Sequence, residues 1–331
     1  MIRHLAKRVL RNSGVLRLAA RLHGKGVAIL MYHSVVDDAR PVDDSLGGII
    51  HTRQVFQGQM DLLAREFRPV DLVRVQRFLT GDEKLPERAV AVTFDDGYTD
   101  NHEIAMPILD RLGIPATFYV TVDCVENRKL PWPSRLRYSF RRTKRKSWTD
   151  PEGKLWSMEN ADIREQAFLT ACDRVCQLAG TALENCLTSL EEELEAKLPN
   201  DSSQLMMTWE QIRDLARHGH TVGSHTMTHP NMAYLRNEDA TREFADSKKR
   251  IETQMNAPLE HFAYPCPALY PSWSQETVAG CRLAGYQTAV TTNRGLVRKG
   301  HEPLLLNRVR PSKTIDGLQW NLEKAFAGRA V

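Results

Sequence analysis

Long hydrophobic runs are missing from this 331-residue chain. No stretch approaches the roughly 18 consecutive apolar residues of a membrane-crossing helix, so a helical span is excluded and a soluble chain expected. Cysteine is scarce, at six residues with no C-x-x-C pair, which excludes a disulfide-stapled scaffold. Cys172 and Cys176, four apart, read as buried small hydrophobes on one helical face in a reducing compartment. Internal repeats are absent, as is any motif of a nucleic-acid-binding fold, so no nucleic-acid partner is expected. The first 25 residues contain no acidic residue while carrying Arg3, Lys7, Arg8, Arg11, Arg17, Arg21 and Lys25. They also lack the uninterrupted apolar stretch and small-residue cleavage site of a secretory signal, which favours a cytoplasmic location over export. Two readings of this segment stand open: a basic amphipathic pair lying on an anionic membrane surface, or a solvated basic arm.

What is present is ordinary globular composition: 42% apolar, 26% charged, and 45 Lys+Arg against 41 Asp+Glu for a net charge of +4. The length suits two domains or one α/β barrel with an insertion. Short apolar, β-branched runs predict strands at 27–32, 89–94, 116–121, around 220–222, at 261–264 and at 288–290. Helical patterns alternate with them at 52–66, 102–112, 208–218, 238–254 and 274–284. Thr208 with Gln211 forms a capping-box start, and Gly219 a stop. This alternation predicts a parallel sheet.

The alternation fails at about 127–204, where Ile163, Phe168, Ala171, Val175 and Leu178 make one helical stripe and Leu183, Leu187, Leu190, Leu194 and Leu198 another. A helical insertion, folded on the barrel or on its own hairpin, is expected there. At its entrance Trp132, Leu136 and Phe140 recur every four residues among Arg135, Arg137, Arg141, Arg142, Lys144, Arg145 and Lys146. Such a helix can bind a membrane surface, nucleic acid or an anionic ligand, or simply carry a solvated face.

Two segments carry chemistry. In Thr93-Phe94-Asp95-Asp96-Gly97-Tyr98 an apolar strand ends in adjacent carboxylates, where α/β barrels place their active sites. Adjacent carboxylates repel, so a nearby cation would keep both ionised. In Ser224-His225-Thr226-Met227-Thr228-His229 the two histidines are four apart, as on one helical turn facing one metal ion. Two imidazoles and a carboxylate make a divalent-metal set with positions left open.

This ordered pair of motifs resembles the NodB-homology polysaccharide deacetylases, carbohydrate esterase family 4. Met31-Tyr32-His33-Ser34-Val35, Phe262-Ala263-Tyr264-Pro265 and Gly285-Tyr286 are further similar features. The resemblance covers about 26–126 and 205–312. It implies a distorted (β/α) barrel of seven or eight strands spanning 26–318, with a basic segment at 1–25, the helical insertion at about 127–204 and a tail at 319–331. It implies metal-dependent removal of N-acetyl, or O-acetyl, groups from a sugar. Asp96, His225 and His229 would hold the metal, zinc first and cobalt, nickel or iron as alternatives, and Asp95 would be the general base. The oxyanion would meet the backbone N–H of Cys266, with Tyr264 and Tyr98 at the substrate.

Departures from the family pattern concern the acid and the group that orients the base. Ala263 stands where many members have an orienting Arg, and Arg308 where many have an acidic His. Arginine cannot deliver a proton at neutral pH, but Arg308 could orient Asp95, and His33 becomes the candidate acid. The expected substrate is an N-acetylated sugar of a polysaccharide or of a lipid- or nucleotide-linked precursor. The alternatives are an inactive glycan-binding or assembly protein on the same fold, and a hydrolase of another amide.

Overall fold

The computed structural model describes residues 25–37, 49–196, 198, 204–265 and 271–329. The basic N-terminal segment, Lys25 excepted, and Cys266 lie outside them. The elements follow in the order β1 (Val27–Tyr32), β2 (Ser34–Val36), β3 (Ile50–Thr52), α1 (Arg53–Glu66), β4 (Arg68–Pro69), α2 (Leu72–Thr80), β5 (Ala89–Phe94), α3 (Met106–Leu112), β6 (Ala116–Val120) and α4 (Val122–Glu126). The insertion contributes α5 (Trp132–Arg142), β7 (Ser147–Thr149), β8 (Leu155–Ser157), α6 (Ala161–Val175) and α7 (Gly180–Glu193). The chain then continues with α8 (Trp209–Arg217), β9 (Thr221–Ser224), α9 (Asn237–Met255), β10 (His261–Ala263), α10 (Gln275–Leu283), β11 (Thr288–Arg294), β12 (Leu306–Arg308) and α11 (Ile315–Phe326).

Seven parallel strands line up as β1-β5-β6-β9-β10-β11-β12, with β4 added beside β5. Every residue of β1 and β5 is buried, as expected of strands packed on both faces. The sheet curls until its ends meet: the Val309 N–H donates to Ile29 O at 2.7 Å, and the Met31 N–H to Val309 O at 3.3 Å. The result is a nearly closed (β/α) barrel whose strand C-termini gather at one mouth. Thr52 caps α1 by accepting from the Val55 N–H, and Thr208 with Gln211 forms the full capping box of α8.

Residues 319–326, expected as part of a tail, are helical. These eight residues complete α11, which buries Leu318, Leu322, Ala325 and Phe326. Two short strands, β2 and β3, pair with each other outside the barrel sheet.

The insertion has a core of its own, formed by Trp132, Leu136, Phe140, Trp148, Trp156 and Phe168 with leucines of α7. The basic face of α5 is turned to glutamates rather than left open. Arg135 meets Glu184 at 2.8 Å and Glu191 at 3.1 Å, Arg141 meets Glu165 at 2.9 Å, and Arg145 beyond the helix meets Glu195 at 2.9 Å. These partners sit on α6, α7 and the turn after α7. They explain most of this basic run as packing between helices.

Candidate active site

Asp95 and Asp96 follow β5 at the barrel mouth, and the chain turns there through Asp96 and Gly97 at φ 78° and 92°. Non-glycine residues seldom adopt positive φ, and such strain gathers at functional sites. Thr226 and His229, at φ 71° and 63°, repeat the feature on the facing loop. The segment after β9 is therefore not a helical turn, and the two imidazoles do not converge by helical periodicity. A folded-back loop brings them together, with ring centroids 4.9 Å apart. The loop is fixed by the His229 N–H donating to Thr226 Oγ1 at 2.9 Å. Glu243 of α9 also holds it, its carboxylate accepting from the Met227 and Thr228 N–H groups and the Thr228 hydroxyl.

Asp96 Oδ1 lies 3.4 Å from His225 Nε2 and 3.2 Å from His229 Nε2. Ligands held tetrahedrally at about 2.0–2.1 Å from a metal stand about 3.3 Å from one another. The three buried side chains are the one group of this kind found among the described residues. His225 donates from Nδ1 to Ala263 O at 2.8 Å, which leaves the Nε2 lone pair toward Asp96. Asp96 Oδ1 is buried without a protein hydrogen bond of acceptable geometry. These donors fit a divalent cation.

Asp95 faces a different set. Arg308 of β12, 1% exposed, places Nη1 2.7 Å from Asp95 Oδ1 and is itself anchored by donating from Nε to Thr291 O at 2.8 Å. Burial alone would push the Asp95 pKa up, but the Arg308 guanidinium and the nearby imidazoles of His225 and His33 outweigh it and hold the carboxyl below its ordinary value. His33 Nε2 stands 3.8 Å from Asp95 Oδ2. Burial lowers the His33 pKa although Asp96 and Asp95 pull the other way. The backbone at His33 is pinned by Asn101, whose Nδ2 donates to His33 O at 2.6 Å. Next to it, Asp100 accepts from Ser34 Oγ at 2.6 Å and the Val35 N–H at 3.0 Å. Asn101 opens a π-helical segment, Asn101–Ala105, a distortion frequent at functional sites.

Asp95, Asp96, His225, His229 and His33 thus line one cavity of about 330 Å³, with Arg308 directly behind Asp95. The two tyrosines differ in place. Tyr98 is 1% exposed, and its hydroxyl meets Ser134 Oγ at 3.2 Å, so it braces the turn after Asp96. Tyr264 borders the cavity, but its ring packs against Phe262 and Phe244. His102 and His218 pair with Asp214 and Asp110.

Sequence patterns did not disclose Glu243, Asn101, His51 or the part played by the insertion. His51 Nε2 donates to Ser312 O at 3.2 Å, and its ring borders the cavity. From the insertion, Trp132 donates from Nε1 to His229 O at 2.9 Å, and Ser134 and Arg137 line the wall. A tryptophan at the start of a helix is no sequence signal for such a contact.

Residues 82–289 match the family described as polysaccharide deacetylase. A Bacillus subtilis (strain 168) protein named as a polysaccharide deacetylase, YxkH, is 24% identical over 87% of this chain and 72% of its own length. Among solved structures, the Streptococcus pyogenes deacetylase PplD, determined with acetate, superposes at a TM-score of 0.60 with 20% identity, covering 90% of this chain and 98% of that one. IcaB from Ammonifex degensii gives 0.60 with 19% identity over 92% and 99%. At these identities the structural likeness speaks for the fold.

Proposed function

This chain belongs to the polysaccharide deacetylase family, and on that premise we propose that it removes N-acetyl groups from a sugar with the aid of a divalent ion held by Asp96, His225 and His229. The sugar belongs to a polysaccharide or to a lipid- or nucleotide-linked glycan precursor. The observation that carries the reading is the buried Asp96–His225–His229 cluster beside an Asp95 held ionised by Arg308. A bound divalent ion would polarise the acetamide carbonyl and acidify water.

The chain's own residues supply the proton transfers. Asp95 takes a proton from the attacking water, its free oxygen Oδ2 lying on the His33 side while Oδ1 stays on Arg308. Arg308 orients the base and cannot itself release a proton. His33 gives a proton to the departing amine, which is a poor leaving group as an anion. An imidazole whose pKa is lowered by burial releases a proton readily once it carries one. Zinc suits the N/O donor set, as do cobalt, nickel and iron. The basic segment preceding the barrel supports a place on the cytoplasmic face of a membrane; deleting residues 1–22 should then move the protein from the pelleted to the soluble fraction.

The deciding experiment pairs acetate release from N-acetylhexosamine oligomers with metal analysis. Asp95→Asn should lose about 10²–10⁴-fold in turnover and keep its metal, whereas His225→Ala should lose the metal itself. Full activity in Asp95→Asn would remove the base assignment. Bound metal and tight glycan binding with no acetate released would make the chain a glycan-binding protein instead.

A further inference from the structure

Tyr119 of β6 is fully buried in an apolar cluster with Ala91, Ala263, Val290 and Leu306. Phe118 before it is level with Phe94 of β5 and stacks on it, both rings belonging to the core outside the barrel. Side chains alternate along a strand, so Tyr119 and Asp95, one step further on, turn to the barrel interior. The Tyr119 ring crosses β9 at Gly223, its neighbour in register. A Cβ at that position would stand 2.4 Å from Tyr119 Cδ1, so only glycine gives the ring this path.

The Tyr119 hydroxyl and Nη2 of Arg308 are both buried with no hydrogen-bond partner among the described residues. The other nitrogens of that guanidinium are engaged. Nε donates to Thr291 O at 2.8 Å, and Nη1 donates to Asp95 Oδ1 at 2.7 Å with Thr93 Oγ1 3.4 Å away. Nη2 carries two N–H groups, and Arg308 is only 1% exposed. Tyr119 stands close enough for the charges of Arg308 and Asp95 to act on its hydroxyl, whose pKa burial pushes up. Unpaired polar groups in an interior are costly, and one water bonded to both atoms would satisfy them together.

We propose that Tyr119 is a positioning residue of the reaction: its hydroxyl, through one internal water, holds Nη2 of Arg308 and so fixes the guanidinium that orients Asp95. This rests on the deacetylase reading and adds a residue to it. Tyr119 does not line the cavity, so it acts only through Arg308. Thr291 O and Asp95 grip two corners of a planar group. With the third corner free the plane can tilt about the other two, and Nη1 leaves the line of Asp95 Oδ1. Small misplacements of this kind are expensive for a reaction that depends on orientation.

Tyr119→Phe deletes the hydroxyl and keeps the ring, so the barrel stays packed. Acetate release from N-acetylhexosamine oligomers should fall about tenfold in kcat, equivalent to about 1.4 kcal/mol, with KM changed less than about twofold. A ring that only fills the barrel would leave kcat where it is. In an Arg308→Lys background the same substitution should cost less than about twofold, because the group through which Tyr119 acts is gone. Nitrogen-15 NMR reads the positioning without turnover. The Nη signals of Arg308, identified by their loss in Arg308→Lys, should be separate in the native protein and should merge in Tyr119→Phe as the guanidinium rotates more freely. Absence of acetate release from native protein counts against the deacetylase reading, and the NMR comparison still decides whether Tyr119 holds Arg308. Unchanged Nη signals in Tyr119→Phe, or the same loss of kcat with and without Arg308, overturns the inference.

Discussion

In the barrel, the Arg308 and Asp95 side chains are 1% and 3% exposed and meet at 2.7 Å; in the insertion, Arg145 and Glu195 meet at 2.9 Å with 50% and 62% of each side chain in water. The two pairs look alike as contacts and differ in what surrounds them. Around Arg308 there is no solvent to replace a missing partner, so removing one charge strands the other in the interior. Around Arg145, water and salt already do most of the work. An arginine–carboxylate contact therefore says little about stability or function until its burial is known. In the basic run at the start of the insertion Arg145 is of the second kind, whereas Arg135, Arg137 and Arg141, with side chains 13%, 17% and 34% exposed, lie between the extremes.

Four measurements would break or sharpen this contrast. The largest effect is expected from Arg308→Met, which leaves Asp95 buried without its guanidinium and should cost about 3–5 kcal/mol in urea unfolding. A cost under about 1 kcal/mol would remove the distinction between the two pairs. The carboxyl should also be pushed upward in pKa by burial, so activity should appear only at higher pH than in the native chain.

Next comes acid. His261 of β10 is buried, and desolvation holds its pKa down to about 4, against about 6.5 in the unfolded chain. Between those values the unfolded chain binds a proton that the folded one refuses. Stability should fall as pH drops from about 6.5 to about 4, by about 3 kcal/mol for this group. His261→Gln should flatten that slope. Residues 127–204 contain no histidine, so hydrogen exchange should show the barrel loosening in this range before the insertion; the reverse order would contradict the assignment.

Trp132→Phe, which keeps the ring and deletes the bond to His229 O, should weaken metal retention about tenfold in a chelator competition. No change would make the insertion a bystander to the Asp96–His225–His229 cluster. The smallest effect is expected from Arg145→Ala, within about 0.5 kcal/mol in thermal or urea unfolding.

How much of this was readable in advance depended on range. Strands β1 and β5 and helix α8 announce themselves through local apolar runs and the Thr208–Gln211 cap, and they lie where periodicity put them. Strand β12 does not, because Leu306–Arg308 is only three residues long and carries two polar side chains. Asp96, His225 and His229 were legible as a set from residue type and order, but not in their geometry. Spacing of four suggested a helix, whereas the left-handed backbone at Thr226 and His229 makes the turn. Glu243 and Trp132 were invisible because their contacts join residues 15, 16 and 97 positions away with no motif to mark them. The arginines of α5 suggested an open basic surface because their acidic partners on α6 and α7 lie far along the chain. Helical spacing identified that face correctly and left its occupant unknown.

The order of synthesis gives the Arg308–Asp95 contact a further meaning. Arg308 follows Asp95 by 213 residues, and Val309 beside it bonds the last strand to the first. A growing polypeptide thus leaves the Asp95 carboxyl without its guanidinium partner until residue 308 has emerged from the ribosome. Neutralisation of that acid and sealing of the sheet become possible only when one late stretch of chain emerges, so a product cut short before it would lack both at once.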